Sequence, residues 1–211
     1  MWTVLFVNFV GLLSPGPDFF YVSRKAASDS HRNAMAGAFG IGLGIVFWAS
    51  LVIFGLALLN RTTPMAQYII MCLGGAYLAY GGVKMLGVTK NAYLSAPSQL
   101  KSKPSSLFNE VLKGLAINIS NGKVIVFFSS VLSGFMTNIS DSTEIWLIIV
   151  LLGLETFFYF ALIAFFFSRK QVREIYNRYN RYIDNFAGLV FLFFGGELIY
   201  SGLSTIISFI A

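Results

Sequence analysis

The stretch Ser14-Pro15-Gly16-Pro17-Asp18 interrupts an apolar run that opens at Trp2 and closes near Val22, and this interruption governs how the chain is organised. Pro15 and Pro17 each lack an N–H and clash with the carbonyl four residues back, so the carbonyls of Gly11 and Leu13 lose their helical partners. The helix breaks or kinks here. Proline is also a good first residue of a helix, and a new segment starting at Pro17 presents the N–H groups of Asp18, Phe19 and Phe20 with the positive end of a helix dipole. Irregular backbone at membrane depth survives where protein buries it or where it lines a wet cavity. Two readings stand: a plain proline kink with Asp18 capping its own half-helix at the cytoplasmic interface, or a polar site on a pathway, the default use of an ionisable residue inside a span.

Composition supports membrane depth. Of 211 residues 56% are apolar and 11% charged, with 22 Phe and a mean hydropathy of +0.73, which excludes an ordinary soluble domain. The apolar stretches fill six spans of about 20 residues and leave no room for an enzyme core. The N-terminal run has no Lys or Arg before it and leads into Pro-Gly-Pro, so it is expected to remain as the first span and not to act as a signal peptide. The six spans are expected at about Trp2–Val22, Ala34–Leu59, Met65–Leu86, Gly114–Met136, Ile145–Phe167 and Phe186–Ile210. Gly37, Gly40, Gly42 and Gly44 in the second, and Gly74, Gly75, Gly81 and Gly82 in the third, leave small surfaces for close helix approach. Ser168–Asp184 reads as a segment on the membrane surface, with Ile175, Tyr179, Tyr182 and Phe186 on one helical face and arginines on the other. Cys72, the single cysteine, supports neither a disulfide nor a thiol relay and reads as a small hydrophobe.

The net charge of +6 reports orientation. Arg24, Lys25 and Arg32 fall between spans one and two. Lys84, Lys90, Lys101, Lys103 and Lys113 surround the connection from span three to span four. Arg169, Lys170, Arg173, Arg178 and Arg181 fall between spans five and six. The positive-inside rule then puts both termini outside. Three spans per half make the halves enter the membrane oppositely: a first repeat over about 1–87, a cytoplasmic linker over about 88–108 and a second repeat over about 109–211, as in inverted-repeat transporters. The expected fold is therefore all-α and polytopic, six transmembrane helices as two inverted three-helix repeats.

Span four carries a second interruption, Asn121-Gly122-Lys123, preceded by Asn118 and Ser120. Gly122 weakens the helix, the asparagines donate and accept hydrogen bonds, and Lys123 places a cation about 12 Å inside the membrane by helical rise. Lys123 pairs with Asp18, or snorkels to the interface, or the two charges are the jaws of one polar site; the last reading has both interruptions facing a central cavity. Glu155 and Glu197 are also surrounded by apolar residues. Either relays protons or hydrogen-bonds locally, to Tyr159 and Tyr200 respectively, and Glu197 sits beside Gly195 and Gly196. The only histidine, His31, lies in a basic loop, so no zinc motif or buried Ser-His dyad can be assembled, and no catalytic residue, cofactor or metal is expected.

Pro15-Gly16-Pro17-Asp18, the Gly-rich second span and Gly114-x-x-x-Asn118-x-x-Asn121-Gly122-Lys123 together resemble the LysE/RhtB superfamily of lysine and homoserine/threonine exporters over nearly the full length. That family's fourth span reads Asn-Pro-Lys, so Gly122 is a departure. The resemblance implies a bacterial inner-membrane exporter of amino acids or related zwitterionic metabolites, driven by the proton gradient. Ser14, Pro15, Gly16, Pro17, Asp18, Asn118, Asn121, Gly122, Lys123 and Glu155 are then the candidate substrate or proton site. The expected partners are a small-molecule substrate and membrane lipid, with no nucleic acid, and a homo-oligomer is compatible with the pattern. The rival reading is a passive channel or a structural membrane subunit without a substrate.

Overall fold

A computed structural model of the chain describes residues 1–28, 30–91, 106–135 and 142–210. Within them the backbone forms eight helices: α1 (Trp2–Leu13), α2 (Pro17–Ser28), α3 (His31–Thr62), α4 (Pro64–Leu86), α5 (Leu107–Ile119), α6 (Gly122–Phe135), α7 (Ser142–Phe167) and α8 (Lys170–Ile210). Most of the linker expected over 88–108 lies outside the described residues.

Helices α3, α4, α7 and α8 are each long and apolar enough to cross a membrane. The other four have 12 to 14 residues each, about 20 Å by helical rise, too short for a hydrocarbon layer of about 30 Å. They join in pairs. α1 and α2 meet at a bend of 58°, and α5 and α6 at 61°, so each pair makes one broken span. The chain is a polytopic helical membrane protein in which the order broken span, long helix, long helix occurs twice.

Local chemistry sets these boundaries. Ser14 leaves α1 with extended backbone (φ −74°, ψ 116°), and Pro17 restarts the chain as the first residue of α2, where a missing N–H costs nothing. Ser30 and Ser106 cap α3 and α5, their hydroxyls accepting from the N–H groups of Asn33 and Asn109 at 3.1 and 3.2 Å. Pro64 opens α4.

Four features depart from the sequence reading in ways that bear on the site. α2 runs six residues beyond Val22, and α5 begins at Leu107 and not Gly114. Both breaks therefore fall near the middle of their spans, and Lys123 sits deeper than a start at Gly114 implied. The segment expected on the membrane surface is not separate: α8 runs unbroken from Lys170 through span six. Ile175, Tyr179, Tyr182 and Phe186 are exposed together as expected, but the opposite side is packed into protein. The Tyr176 ring lies 5.0 Å from that of Phe19 and 5.2 Å from that of Phe167. Asn91, just beyond α4, donates to the Arg178 carbonyl at 2.8 Å and accepts from the Arg181 N–H at 3.1 Å. Fourth, of Gly195 and Gly196, both expected from the sequence to pack closely beside Glu197, Gly195 packs tightly while Gly196 faces open space.

The glycines of the second and third spans act where expected, except Gly81, where a Cβ would stand 4.0 Å from the nearest atom. A Cβ on Gly40 would stand 2.0 Å from the Val111 carbonyl oxygen, and one on Gly114 would stand 2.1 Å from that of Gly37. No side chain fits, so α3 and α5 touch backbone to backbone. Gly75 and Gly82 on α4 meet Gly195 and Gly188 on α8 in the same way. Large apolar side chains elsewhere, such as Phe158, Leu189, Phe193 and Leu203, cover the outer surface; in lipid this costs nothing.

Candidate functional site

The two breaks face each other, and each supplies groups the other lacks. Pro15 cannot donate to the Gly11 carbonyl, which is left open at the C-terminal end of α1. The Lys123 ammonium, from the second break, fills the gap: it donates to the carbonyls of Gly11 at 3.4 Å and Ser14 at 3.0 Å. A cation thus sits where α1 presents the negative end of its dipole. Asp18, in the first turn of α2, lies at a positive end. Its Oδ2 accepts from the side-chain amides of Asn118 at 2.9 Å and Asn121 at 3.2 Å. Asn121 also accepts the Lys123 N–H through Oδ1 at 3.1 Å, so one side chain caps α6 and reaches across to α2.

Asp18 is 6% exposed, and Asn118 is fully buried. The two charges make no direct ion pair with each other among the described residues; Lys123 is engaged by carbonyls and Asp18 by amides. The second carboxylate oxygen of Asp18, Oδ1, is buried without a hydrogen-bond partner. A buried acceptor left open is costly, on the order of 1–3 kcal/mol and more when charged.

Asp18 forms part of the wall of a cavity of about 50 Å³. Ser14, Gly16, Asn121 and Lys123 supply further polar wall, and Ile45, Phe19, Phe127, Phe128 and Phe160 supply the apolar part. One carboxylate, one ammonium and an aromatic floor suit a small solute carrying both charges and a short side chain. Pro15, Pro17 and Gly122 shape the backbone of the breaks and are not in the wall. Glu155 is also outside it. It is reached through Asn8, a cavity residue on α1 whose amide donates to Glu155 Oε2 at 2.9 Å.

Several site residues were missed in the sequence. Asn8 had a signal: it is the one amide in the otherwise apolar α1 and lies one turn before Gly11. Asp184, from α8, is 9% exposed and interacts electrostatically with Lys123; the expected surface placement of its segment hid it. The third is a cluster on the side of the basic loops. Glu110 of α5 is fully buried and accepts from Lys25 of α2 at 3.0 Å, from Lys113 at 2.8 Å and from the Tyr21 hydroxyl at 2.7 Å. These contacts tie half-helix α2 to half-helix α5 about two helical turns from Asp18. Among the described residues no group of three His, Cys, Asp or Glu side chains is arranged to hold a metal ion.

Residues 9–202 match the family model described as LysE type translocator. The chain is 47% identical over 208 residues, covering 98% of itself and 99% of the relative, to an uncharacterized membrane protein of Haemophilus influenzae. It is 40% identical over 201 residues, covering 94% of itself and 97% of the relative, to the threonine efflux protein of Escherichia coli K12. The threonine efflux protein of Salmonella typhi is 38% identical over 200 residues, 95% of this chain and 97% of the relative. No solved structure matches. With its two facing breaks and a match that covers nearly every span, the chain belongs to the LysE type translocator family.

Proposed function

We propose that this protein exports a small amino acid, threonine or a close homologue, from the cytoplasm across the bacterial inner membrane. The observation that carries the reading is Asp18, a cavity-wall residue between the two breaks whose Oδ1 has no hydrogen-bond partner. An ammonium group entering the cavity brings three donors and a charge opposite to that of Asp18, and satisfies an acceptor that the protein leaves open. Charge balance assigns the solute carboxylate to the neighbourhood of Lys123 and the first-turn N–H groups of α2. Of the three N–H groups expected there, that of Phe20 already donates to the Gly16 carbonyl at 3.0 Å, leaving those of Asp18 and Phe19. The apolar wall takes the side chain. Threonine is the first solute to try because relatives at about 40% identity are named for its efflux.

Both termini lie outside in this reading, and the repeats are inverted about the cavity. Transport proceeds by alternating access driven by the proton gradient, with Asp18, or Glu155 behind Asn8, carrying the proton. The Glu110 cluster then closes the cytoplasmic side by holding α2 against α5, and opening requires those contacts to separate.

Purified protein in liposomes loaded with unlabelled threonine tests this. Saturable counterflow of labelled threonine is expected. Flux without counterflow indicates a channel, and no flux of any amino acid indicates a structural subunit; either result overturns the proposal. A C-terminal reporter active only in the cytoplasm would remove the topology.

A further inference from the structure

A second space lies on the far side of the bundle from the basic loops. Its volume is about 290 Å³, and its wall includes Val7, Tyr68, Val131, Glu197, Ser201 and Thr205. It shares no wall residue with the first cavity but lies next to it along two helices. Neighbouring residues of α1 serve the two spaces, Asn8 the central one and Val7 the outer. On α6, Phe127 and Phe128 line the central cavity and Val131 and Gly134 the outer one, a separation of about one helical turn.

Glu197 is the charged group of this outer wall. It lies about 17 Å by helical rise from Phe186, near mid-depth of the apolar part of α8. It is exposed. Ser201 and Thr205 follow at four-residue intervals, so a carboxylate and two hydroxyls form one polar stripe along the helix. A carboxylate at that depth is stable where its space holds water or a cation.

We propose that this space is the exit vestibule of the transport route and that Glu197 is a second station for ammonium groups, receiving the solute's amine after it leaves Asp18. The inference rests on the transport reading for its place in the cycle, but not for its chemistry. Its ligand class is a primary ammonium on a small organic solute. The two spaces are offset by about one turn of α6, so a solute passes from one carboxylate to the next instead of into hydrocarbon.

The test uses full-length protein in liposomes with Cys72 replaced by Ala and Ser201→Cys or Thr205→Cys as two separate reporters. Cationic and anionic methanethiosulfonate reagents of similar size are applied from the vestibule side. Because a fixed charge in a low-dielectric cleft concentrates its counterion, the cationic reagent should react about tenfold faster. Glu197→Gln should bring the ratio close to one at both reporters. In counterflow, Glu197→Gln should raise the half-saturating external threonine concentration about fivefold and leave the internal value unchanged, as expected of a group met only on one side. Equal reagent rates with Glu197 present, or labelling by a lipid-permeable maleimide alone, would show a groove facing hydrocarbon and overturn the proposal. A wild-type protein that moves no threonine would remove the transport reading, while the reagent ratio still decides whether Glu197 makes a cation site.

Discussion

The two breaks reach nearly the same angle, 58° and 61°, by different means. The first is enforced covalently, since Pro15 and Pro17 remove donors and exclude helix geometry in the preceding turn. The second is held by a side chain: Asn121 caps α6 at the Lys123 N–H, and Gly122 imposes nothing. A Cβ on Gly122 would meet no atom within 4 Å. The covalent break lacks donors, and the second break supplies them through Lys123. The pairing makes each break the other's support, so a lesion in either is felt in both.

The largest effect is expected at Asp18. Asp18→Asn keeps an oxygen for the amides of Asn118 and Asn121 but removes the charge, so export per inserted molecule should fall by at least about 100-fold, roughly 2.7 kcal/mol, while the inserted amount stays close to wild type. Equal export per molecule would sever the carboxylate from function. Next is Lys123→Ala, which strips the donor from the Gly11 and Ser14 carbonyls and should cost about 1–3 kcal/mol for each. Thermal unfolding in detergent should show the loss, and Lys123→Arg should recover part of it. If Lys123→Ala is as stable as wild type, the first break does not depend on the second.

Asn121→Ala should be milder, about 1 kcal/mol from the lost cap plus loosening of Asp18, and worse than Asn118→Ala, which removes one amide from Asp18 but no cap. The reverse order would mean that Asn121 is not what holds the second break. The smallest effect has the opposite sign. Gly122 is the first residue of α6, where proline fits and no N–H is needed, so Gly122→Pro should stabilise by about 0.4–1 kcal/mol through the unfolded chain. Any destabilisation larger than that would show that the soft break needs its freedom.

Both breaks were legible in the sequence because proline, glycine and paired charges inside apolar runs have few uses. The span count and the glycine contacts were legible for the same reason: each follows from a local pattern. Depth was not. The expected start at Gly114 followed the hydropathy and missed α5's polar first turns, where Glu110 is hidden by its partners Lys25 and Tyr21, residues about 85 to 90 positions away in sequence. Nothing local marks such a cluster. Asp184 was missed because arginines around it made its helix read as a surface segment, although Tyr176 packs on Phe19.

Helix α8 has 41 residues, about 61 Å by helical rise, twice the thickness of the hydrocarbon layer. Its surplus length makes it a pointer. The Lys170 end lies about 21 Å from Asp184 along the axis, so a tilt of about 10° at the level of Asp184 swings that end by roughly 4 Å. Because Tyr176 rests on Phe19, the neighbour of Asp18, the pointer is geared to the half-helix that carries the carboxylate. Movements too small to resolve at the cavity become readable distances between a spin label near Lys170 and one near Leu86 at the end of α4.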